Sequence, residues 1–232
     1  MPVSARPAAQ DYRYEKKFLI EDYSLAAIMQ VIHLHSAMFR ELYPPRYVNN
    51  IYLDSPLLTD YYSNLNGYAS RGKVRVRWYN KLLREVKDAV LEFKIKDGEV
   101  GRKEQFPFPT FSTDRGLTEA AFRDRIHASD LPETVKFRLH DLEFALMNRY
   151  KRWYFATPGE RYRLTVDADL SFCKLTKFEN NFNHSNPERG VHILELKYMT
   201  KDDPDVHRIT SGLPFRITRS SKYIAGVDQV YL

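Results

Sequence analysis

The sequence predicts an α+β domain: an antiparallel β-barrel tunnel with a charged interior and helices packed outside. Three observations predict it. Strand-like runs far outnumber helical ones, several of those runs alternate large apolar residues with Arg, Lys and Glu, and no Pro/Gly/Ser-rich linker divides the chain. A length of 232 residues suits one large domain. Residues 1–11 read as a flexible N-terminal segment and 12–232 as a single folded unit.

The elements follow from local pattern. A strand is expected at Tyr12–Ile20 and a helix at about Ser24–Phe39, where Leu25, Ile28, Met29 and Ile32 recur at helical spacing. Strand-like runs come next at Arg46–Asp54, Lys73–Asn80, Val90–Asp97 and Arg102–Phe108, with Asp97-Gly98-Glu99 a short hairpin signal. Helical patterns return at Thr118–His127 and Glu133–Ala145. Strands are expected again at Leu146–Phe155, Arg161–Leu170, Phe172–Phe178, Val191–Tyr198 and Leu213–Thr218, and a short helix at about Ser220–Gly226 closes the chain.

Composition narrows the function. A hydrophobic content of 43%, with 16 Tyr and 14 Phe, supplies a real core and argues against disorder. No run approaches the roughly 20 apolar residues of a membrane span, and the first ten residues lack the apolar segment of a signal peptide. A soluble, cytoplasmic protein is therefore expected. The lone Cys173 excludes an internal disulfide and a Cys-rich zinc site. A net charge of +6 favours an anionic partner.

The placement of that charge is more specific than its total. On the first strand Tyr14, Phe18 and Ile20 alternate with Glu15 and Lys17. Val74, Val76 and Trp78 alternate with Lys73, Arg75 and Arg77, and Leu91, Phe93 and Ile95 with Glu92, Lys94 and Lys96. Tyr162, Leu164 and Val166 alternate with Arg161, Arg163, Thr165 and Asp167, and Leu194, Leu196 and Tyr198 with Glu195 and Lys197. An ordinary solvated face draws on Ser, Thr, Gln and Asn as well. A barrel with charges inside and aromatics under helices satisfies both phases.

Such an interior is costly when empty. Two like charges about 5 Å apart, at an effective dielectric near 20, repel by roughly 3 kcal/mol. A bound polyanion relieves that repulsion. The interleaved carboxylates suit a hard divalent cation bridging to phosphate oxygens, which a nucleic-acid groove would not need.

Tyr14-Glu15-Lys16-Lys17-Phe18, Ile51-Tyr52-Leu53-Asp54, Lys73 to Tyr79, Leu91-Glu92-Phe93-Lys94, Leu164-Thr165-Val166-Asp167, Leu194-Glu195-Leu196-Lys197 and Ser221-Lys222-Tyr223 together resemble the VTC domain. That domain is the polyphosphate polymerase branch of the triphosphate tunnel metalloenzymes, and the resemblance runs from about residue 12 to 226. It implies a metal-dependent polymerase that transfers the terminal phosphoryl group of ATP to a polyphosphate chain, with Mn²⁺ or Mg²⁺ as cofactor. It assigns phosphate contacts to Lys17, Arg75, Arg77, Lys94, Arg149, Arg163, Lys197 and Lys222, and the metal to Glu195, with Glu15 and Glu92 as further candidates. The alternatives on the same lining are a tripolyphosphatase or nucleoside triphosphatase, or a non-catalytic module for polyphosphate or RNA. Two departures stand out. The first strand reads Arg13-x-Glu15-x-Lys17 where related triphosphatases carry Glu-x-Glu-x-Lys, and Asn64 stands where the eukaryotic polymerases place an Arg, for which Arg71 is a possible substitute.

Overall fold

The computed structural model describes residues 13–97, 100–113, 117–180, 182 and 185–232. In chain order β1 (Arg13–Ile20) leads into α1 (Leu25–His33), β2 (Arg40–Asp54), α2 (Thr59–Leu65), β3 (Ser70–Tyr79), β4 (Glu85–Val86), β5 (Val90–Asp97), β6 (Val100–Pro107) and β7 (Phe111–Ser112). Two helices, α3 (Glu119–His127) and α4 (Glu133–Leu139), precede β8 (Glu143–Ala156), β9 (Tyr162–Lys174), β10 (Asn186–Glu188) and β11 (His192–Met199). The chain closes with α5 (Val206–Thr210), β12 (Ile217–Thr218) and α6 (Lys222–Tyr231).

One ten-stranded antiparallel sheet, ordered β12-β1-β11-β9-β8-β2-β3-β5-β6 with β10 beside β9, carries the fold. No ladder joins the β12 and β6 edges among the described residues, so the closed barrel that was expected is not found among them. Register shifts between β2 and β8 at Glu41/Tyr43, Tyr43/Arg46 and Tyr52/Leu53, and between β8 and β9 at Arg149/Lys151, sit in its longest strands. Such irregularities increase local bend and twist, which curls a wide sheet around one face. No described helix is long and apolar enough to cross a membrane.

The aromatic phases pack as the alternation requires. On the outer face, Ile28 and Ile32 of α1 and Val206 and Ile209 of α5 cover Phe18, Leu164, Val166, Leu194 and Leu196. Phe122 and Ile126 of α3, with Val135 and Leu139 of α4, cover Val74, Val76, Trp78, Leu91 and Phe93. The third cluster corrects the expectation that all helices lie outside. Tyr223 and Val227 of α6 pack with Val48, Tyr52, Leu146, Tyr150, Leu170 and Phe172, which share the inward phase of the sheet. Gly226 permits this approach, because a Cβ there would lie 2.6 Å from Cδ1 of Phe172.

Asp54 ties this plug to the sheet. Its carboxylate accepts the backbone N–H groups of Ser55 at 2.7 Å, Asp60 at 2.9 Å and Tyr61 at 2.9 Å, and also the hydroxyl of Tyr223. It thereby satisfies the orphan donors at the start of α2, a helix with no side-chain cap of its own at Leu58. Tyr61 returns the favour by donating to Asp228 of α6 at 2.5 Å.

Several boundaries differ from the sequence expectation. α1 stops at His33, because buried His35 accepts from Ala37 N at 3.0 Å and holds Ile209 O at 2.9 Å, and Met38 takes a left-handed φ of 52°. β2 therefore begins at Arg40, not Arg46. The helical pattern at Glu133–Ala145 divides into α4 and the start of β8, and the runs expected at Arg161–Leu170 and Phe172–Phe178 merge into the single strand β9, which passes through Asp169 at φ 54° and ends at Lys174. The proposed strand at Leu213–Thr218 shortens to β12. α2, α5 and β10 had no periodic signal. Asp97 pairs with Val100 as the hairpin signal requires, while 1–12 and 98–99 lie outside the described residues.

Asp54→Ala leaves three N–H groups and a buried hydroxyl without their acceptor, and is expected to cost about 3 kcal/mol or more. Tyr223→Phe removes one bond to a charged acceptor and should cost roughly 1.5–3 kcal/mol. Urea unfolding of both variants checks the order; equal stability of Asp54→Ala and the unaltered protein would remove the carboxylate from this role.

Candidate functional site

Strand register gathers the charged phases on the concave face. On the β1–β11–β9 wall Glu15 lies opposite Lys197, which lies opposite Arg163, and Lys17 lies opposite Glu195. On the facing wall Arg75 is opposite Glu92, which is opposite Gln105, and Lys73 is opposite Lys94, which is opposite Lys103. Between them Arg77 is opposite Asn50, which is opposite Asn148.

Three knots of charge result. In the first, Lys17 Nζ lies 3.0 Å from Glu15 and 3.6 Å from Glu195 and donates to Ser220 O at 3.1 Å. Lys197 Nζ lies 3.2 Å from Glu195 and 3.9 Å from Glu15. Burial acts to lower the Lys17 pKa, but Glu195 and Glu15 outweigh it and raise it. Burial acts to raise the Glu195 pKa, but Lys197, Lys17, Lys222 and Arg152 hold it well below the usual carboxylate range.

In the second knot Glu92, 2% exposed, receives Arg75 Nε at 2.6 Å, Lys103 Nζ at 2.5 Å and Gln105 Nε2 at 2.9 Å, with Arg77 at 3.8 Å. Arg77 donates to Asn50 Oδ1 at 2.8 Å and to the Tyr150 hydroxyl at 3.3 Å. Burial opposes ionisation of Glu92, yet Arg75 and Arg77 push its pKa far down. In the third knot Asp167, fully buried, takes Arg152 through Nε at 2.5 Å and Nη2 at 2.6 Å, and Lys222 Nζ at 2.6 Å. Two donors from one guanidinium make this the bidentate geometry that fixes both partners.

Two lysines stand outside this compensation. Among the described residues Lys94 has no carboxylate within ion-pair distance and no hydrogen bond. Burial, with Arg75 adding to it, drives its pKa well below the usual lysine value. Lys73 donates to Ser221 Oγ at 2.9 Å, and burial, Lys17 and Arg75 lower its pKa to about 8. The face therefore holds two lysines without a carboxylate at ion-pair distance among the described residues.

Of the residues nominated from sequence, Lys17, Arg75, Arg77, Lys94, Lys197, Lys222, Glu15, Glu92 and Glu195 share this face. Arg163 shares its phase but lies at the rim, about half exposed and paired with Glu160 at 2.7 Å. Arg149 is not brought here. It lies opposite Asn49, on the other phase of β2 from Asn50, with its guanidinium 4.0 Å from the Tyr47 ring. Arg152 is the inward arginine of β8, in phase with Asn148 and Tyr150, whereas Arg149 lies three residues away on the opposite phase. Lys73, Lys103, Arg152, Tyr52 and Tyr150 were not nominated, although Lys73 is in phase with Arg75 and Arg77. Asn64 proves structural, donating to Asp60 O at 2.7 Å and Gly72 O at 2.8 Å, and Arg71 donates to Tyr68 O at 2.5 Å.

For a divalent cation the three nominated carboxylates are unequal. Glu15 and Glu195 sit diagonally across β1 and β11 and each opposes the other's ionisation, the repulsion that a cation between them would relieve. Glu92 is occupied on the other wall by Arg75 and Lys103. No group of three His, Cys, Asp or Glu among the described residues could hold a metal alone. Glu15 and Glu195 fit Mg²⁺ or Mn²⁺ whose remaining ligands are water and phosphate oxygens.

Lys73 is protonated up to pH 10.5 as a free side chain but only to about pH 8 in the folded protein. The unfolded chain thus binds the extra proton between those values, and stability should rise as pH increases from about 8 to 10.5. Lys73→Met should flatten that rise and stabilise the empty protein at pH 7 by roughly 2 kcal/mol. Denaturation curves at pH 7, 8.5 and 10 test this; an unaltered pH slope in the variant would place the titration elsewhere.

The geometry agrees with comparison to known proteins. The family model described as VTC domain matches residues 12–231. No curated protein matches the sequence significantly. Among solved structures, HpAC1 from Hippeastrum, described as an adenylyl cyclase candidate with a dominant triphosphatase activity, superposes with a TM-score of 0.53 at 14% identity, over 94% of this chain and 97% of that one. The PH1819 protein of Pyrococcus horikoshii OT3 gives 0.50 at 11% identity, over 94% and 99%. A conserved protein of Pyrococcus furiosus gives 0.50 at 12% identity, over 92% and 99%. At such identities these structures share the fold alone. With all but its extreme termini matched by the family model, this chain belongs to the VTC domain family.

Proposed function

We propose that the concave face is the wall of a tunnel that holds a chain of phosphates, and that the protein transfers the terminal phosphoryl group of ATP to a polyphosphate chain. The observation that carries this reading is the pair Lys94 and Lys73, half-buried side by side on the cationic face with no carboxylate within ion-pair distance among the described residues. Arg75 and Arg77 point the same way from one strand and offer forked donors to successive phosphates. Lys17, Lys197 and Lys222 add point charges already oriented by Glu15, Glu195 and Asp167.

Phosphoryl transfer passes through a loose transition state, so positioning and charge stabilisation supply most of the catalysis. An oxygen of the acceptor chain bonds to the γ-phosphorus, the bond from that phosphorus to the β–γ bridging oxygen breaks, and ADP leaves with the electron pair. Arg75, Arg77 and Lys94 hold the transferring group, while Lys17 and Lys197 keep the two carboxylates ionised. A divalent cation bound at Glu15 and Glu195 would supply Lewis-acid polarisation of phosphoryl oxygens. With water as acceptor, the same lining is a triphosphatase, the activity described for HpAC1. A nucleic-acid groove has no need of carboxylates interleaved among its cations, whereas a divalent cation bridging to phosphate oxygens does, and this argues against RNA.

Incubation with ATP and Mn²⁺ should yield long polyphosphate on a gel. Free phosphate alone would identify the triphosphatase, and binding without turnover would leave only the binding module. Arg77→Ala should lower turnover by roughly 10²–10³-fold, the scale for one transition-state donor, whereas Arg149→Ala should change it little. Glu195→Gln should weaken Mn²⁺ binding, measured by titration, far more than it lowers the melting temperature; unchanged Mn²⁺ affinity would move the cation to another carboxylate.

A further inference from the structure

The phosphate face ends in a different chemistry at the start of β2. There Arg46, Tyr79 and Tyr154 continue the inward phase: Arg46 lies opposite Arg152, Tyr154 opposite Thr165, and Tyr79 two residues beyond Arg77. The Arg46 guanidinium lies 3.9 Å from the Tyr79 ring centroid and 5.2 Å from that of Tyr154, and its Nε donates to the Tyr154 hydroxyl at 3.0 Å. Unlike Arg75 and Arg152, Arg46 has no carboxylate within ion-pair distance among the described residues. Its planar face is held by rings, not by charge.

Beside it a cavity of about 340 Å³ is lined by Tyr43, Pro44, Pro45, Arg46 and Asn80. Tyr43 stands edge-on to Tyr154 at 5.8 Å and is 57% exposed, so a large ring faces solvent at the rim of a cationic groove. Pro44 and Pro45 lie within the register shift between Tyr43 and Arg46, which stiffens the wall that presents both residues. Asn80, at φ 67°, turns the chain at the end of β3, and its exposed amide makes no side-chain hydrogen bond among the described residues.

We infer that this rim is the nucleobase site of the phosphoryl donor, with a purine stacked between the Tyr43 ring and the Arg46 guanidinium. The inference rests on the phosphate reading above and gives it a direction. Flat π faces and guanidinium planes bind bases by stacking, which tolerates base identity but favours the larger purine surface. The Asn80 amide offers both a donor and an acceptor to the base edge. Two residues of strand, about 7 Å, separate Tyr79 from Arg77. The triphosphate of a base held here therefore runs along β3 past Arg77 and Arg75 toward Lys73 and Lys94. A base at the opposite end would meet the apolar plug of α6 instead.

Binding without divalent metal separates the contributions of base and phosphate. Calorimetric titration of the unaltered protein, Tyr43→Ala and Tyr43→Phe with ATP and with inorganic tripolyphosphate gives a ratio of affinities for each. Loss of one stacked base should weaken ATP about tenfold, tripolyphosphate less than twofold, and Tyr43→Phe should behave as the unaltered protein. Equal weakening of both ligands, or of neither, in Tyr43→Ala would overturn the stacking site while leaving the phosphate face intact. Failure of the unaltered protein to bind either ligand would overturn the phosphate reading, and the base site with it.

Discussion

Repulsion among cations on one concave face is the constraint on which the rest of this structure depends. Lys17, Lys73, Arg75, Arg77, Lys94, Arg152, Lys197 and Lys222 converge there, and among the described residues Glu15, Glu92, Asp167 and Glu195 are the carboxylates that pair with them. Each carboxylate serves at least two cations. The cost is carried by the opposite face of the same strands, where Trp78, Phe93, Leu164 and Leu196 are fully buried or nearly so under helices. A sheet that spends one phase on charge needs the other phase to be almost wholly apolar, and this one meets that condition strand after strand.

The carboxylates divide by partner, and the division separates scaffold from chemistry. Asp167 is gripped by both donors of Arg152 and by Lys222, and Glu92 by Arg75, Lys103 and Gln105. Breaking either would strand a buried charge, which makes them fixed points. Glu15 and Glu195 have lysines as their nearest partners, with Arg152 Nη2 farther off at 3.7 Å from Glu195, and they also repel each other. Lysine is a flexible point charge, so this pair can exchange partners as ligands arrive.

The plug formed by α6 links elements remote in sequence. Ser221 accepts from Lys73, Lys222 pairs with Asp167 and Tyr223 donates to Asp54, so three consecutive residues reach three different strands. Asp54 in turn caps α2, and Asn64 of α2 holds the start of β3 through Gly72 O. The strand that bears Lys73, Arg75 and Arg77 is therefore anchored by a residue near the C-terminus and by another on a short helix.

Alternation by itself determined the sheet, the antiparallel class and most of the charged face, because side chains in a strand change face at every residue. Lys17, Arg75, Arg77, Lys94, Glu195 and Lys197 were legible for that reason, and the ordered motifs around them carried the family resemblance. Three features were decided only by tertiary structure. Which phase of β8 faces inward was one, because both phases carry cations: Leu146 and Tyr150 pack under α6, so Arg152 points inward with them and Arg149 outward. Strand neighbours chose which carboxylates meet lysine and which meet arginine, since register is set across the sheet and not along the strand. The inward position of α6 followed from a long-range fit, Gly226 against Phe172 and Tyr223 on Asp54, contacts whose partners lie far apart in the chain.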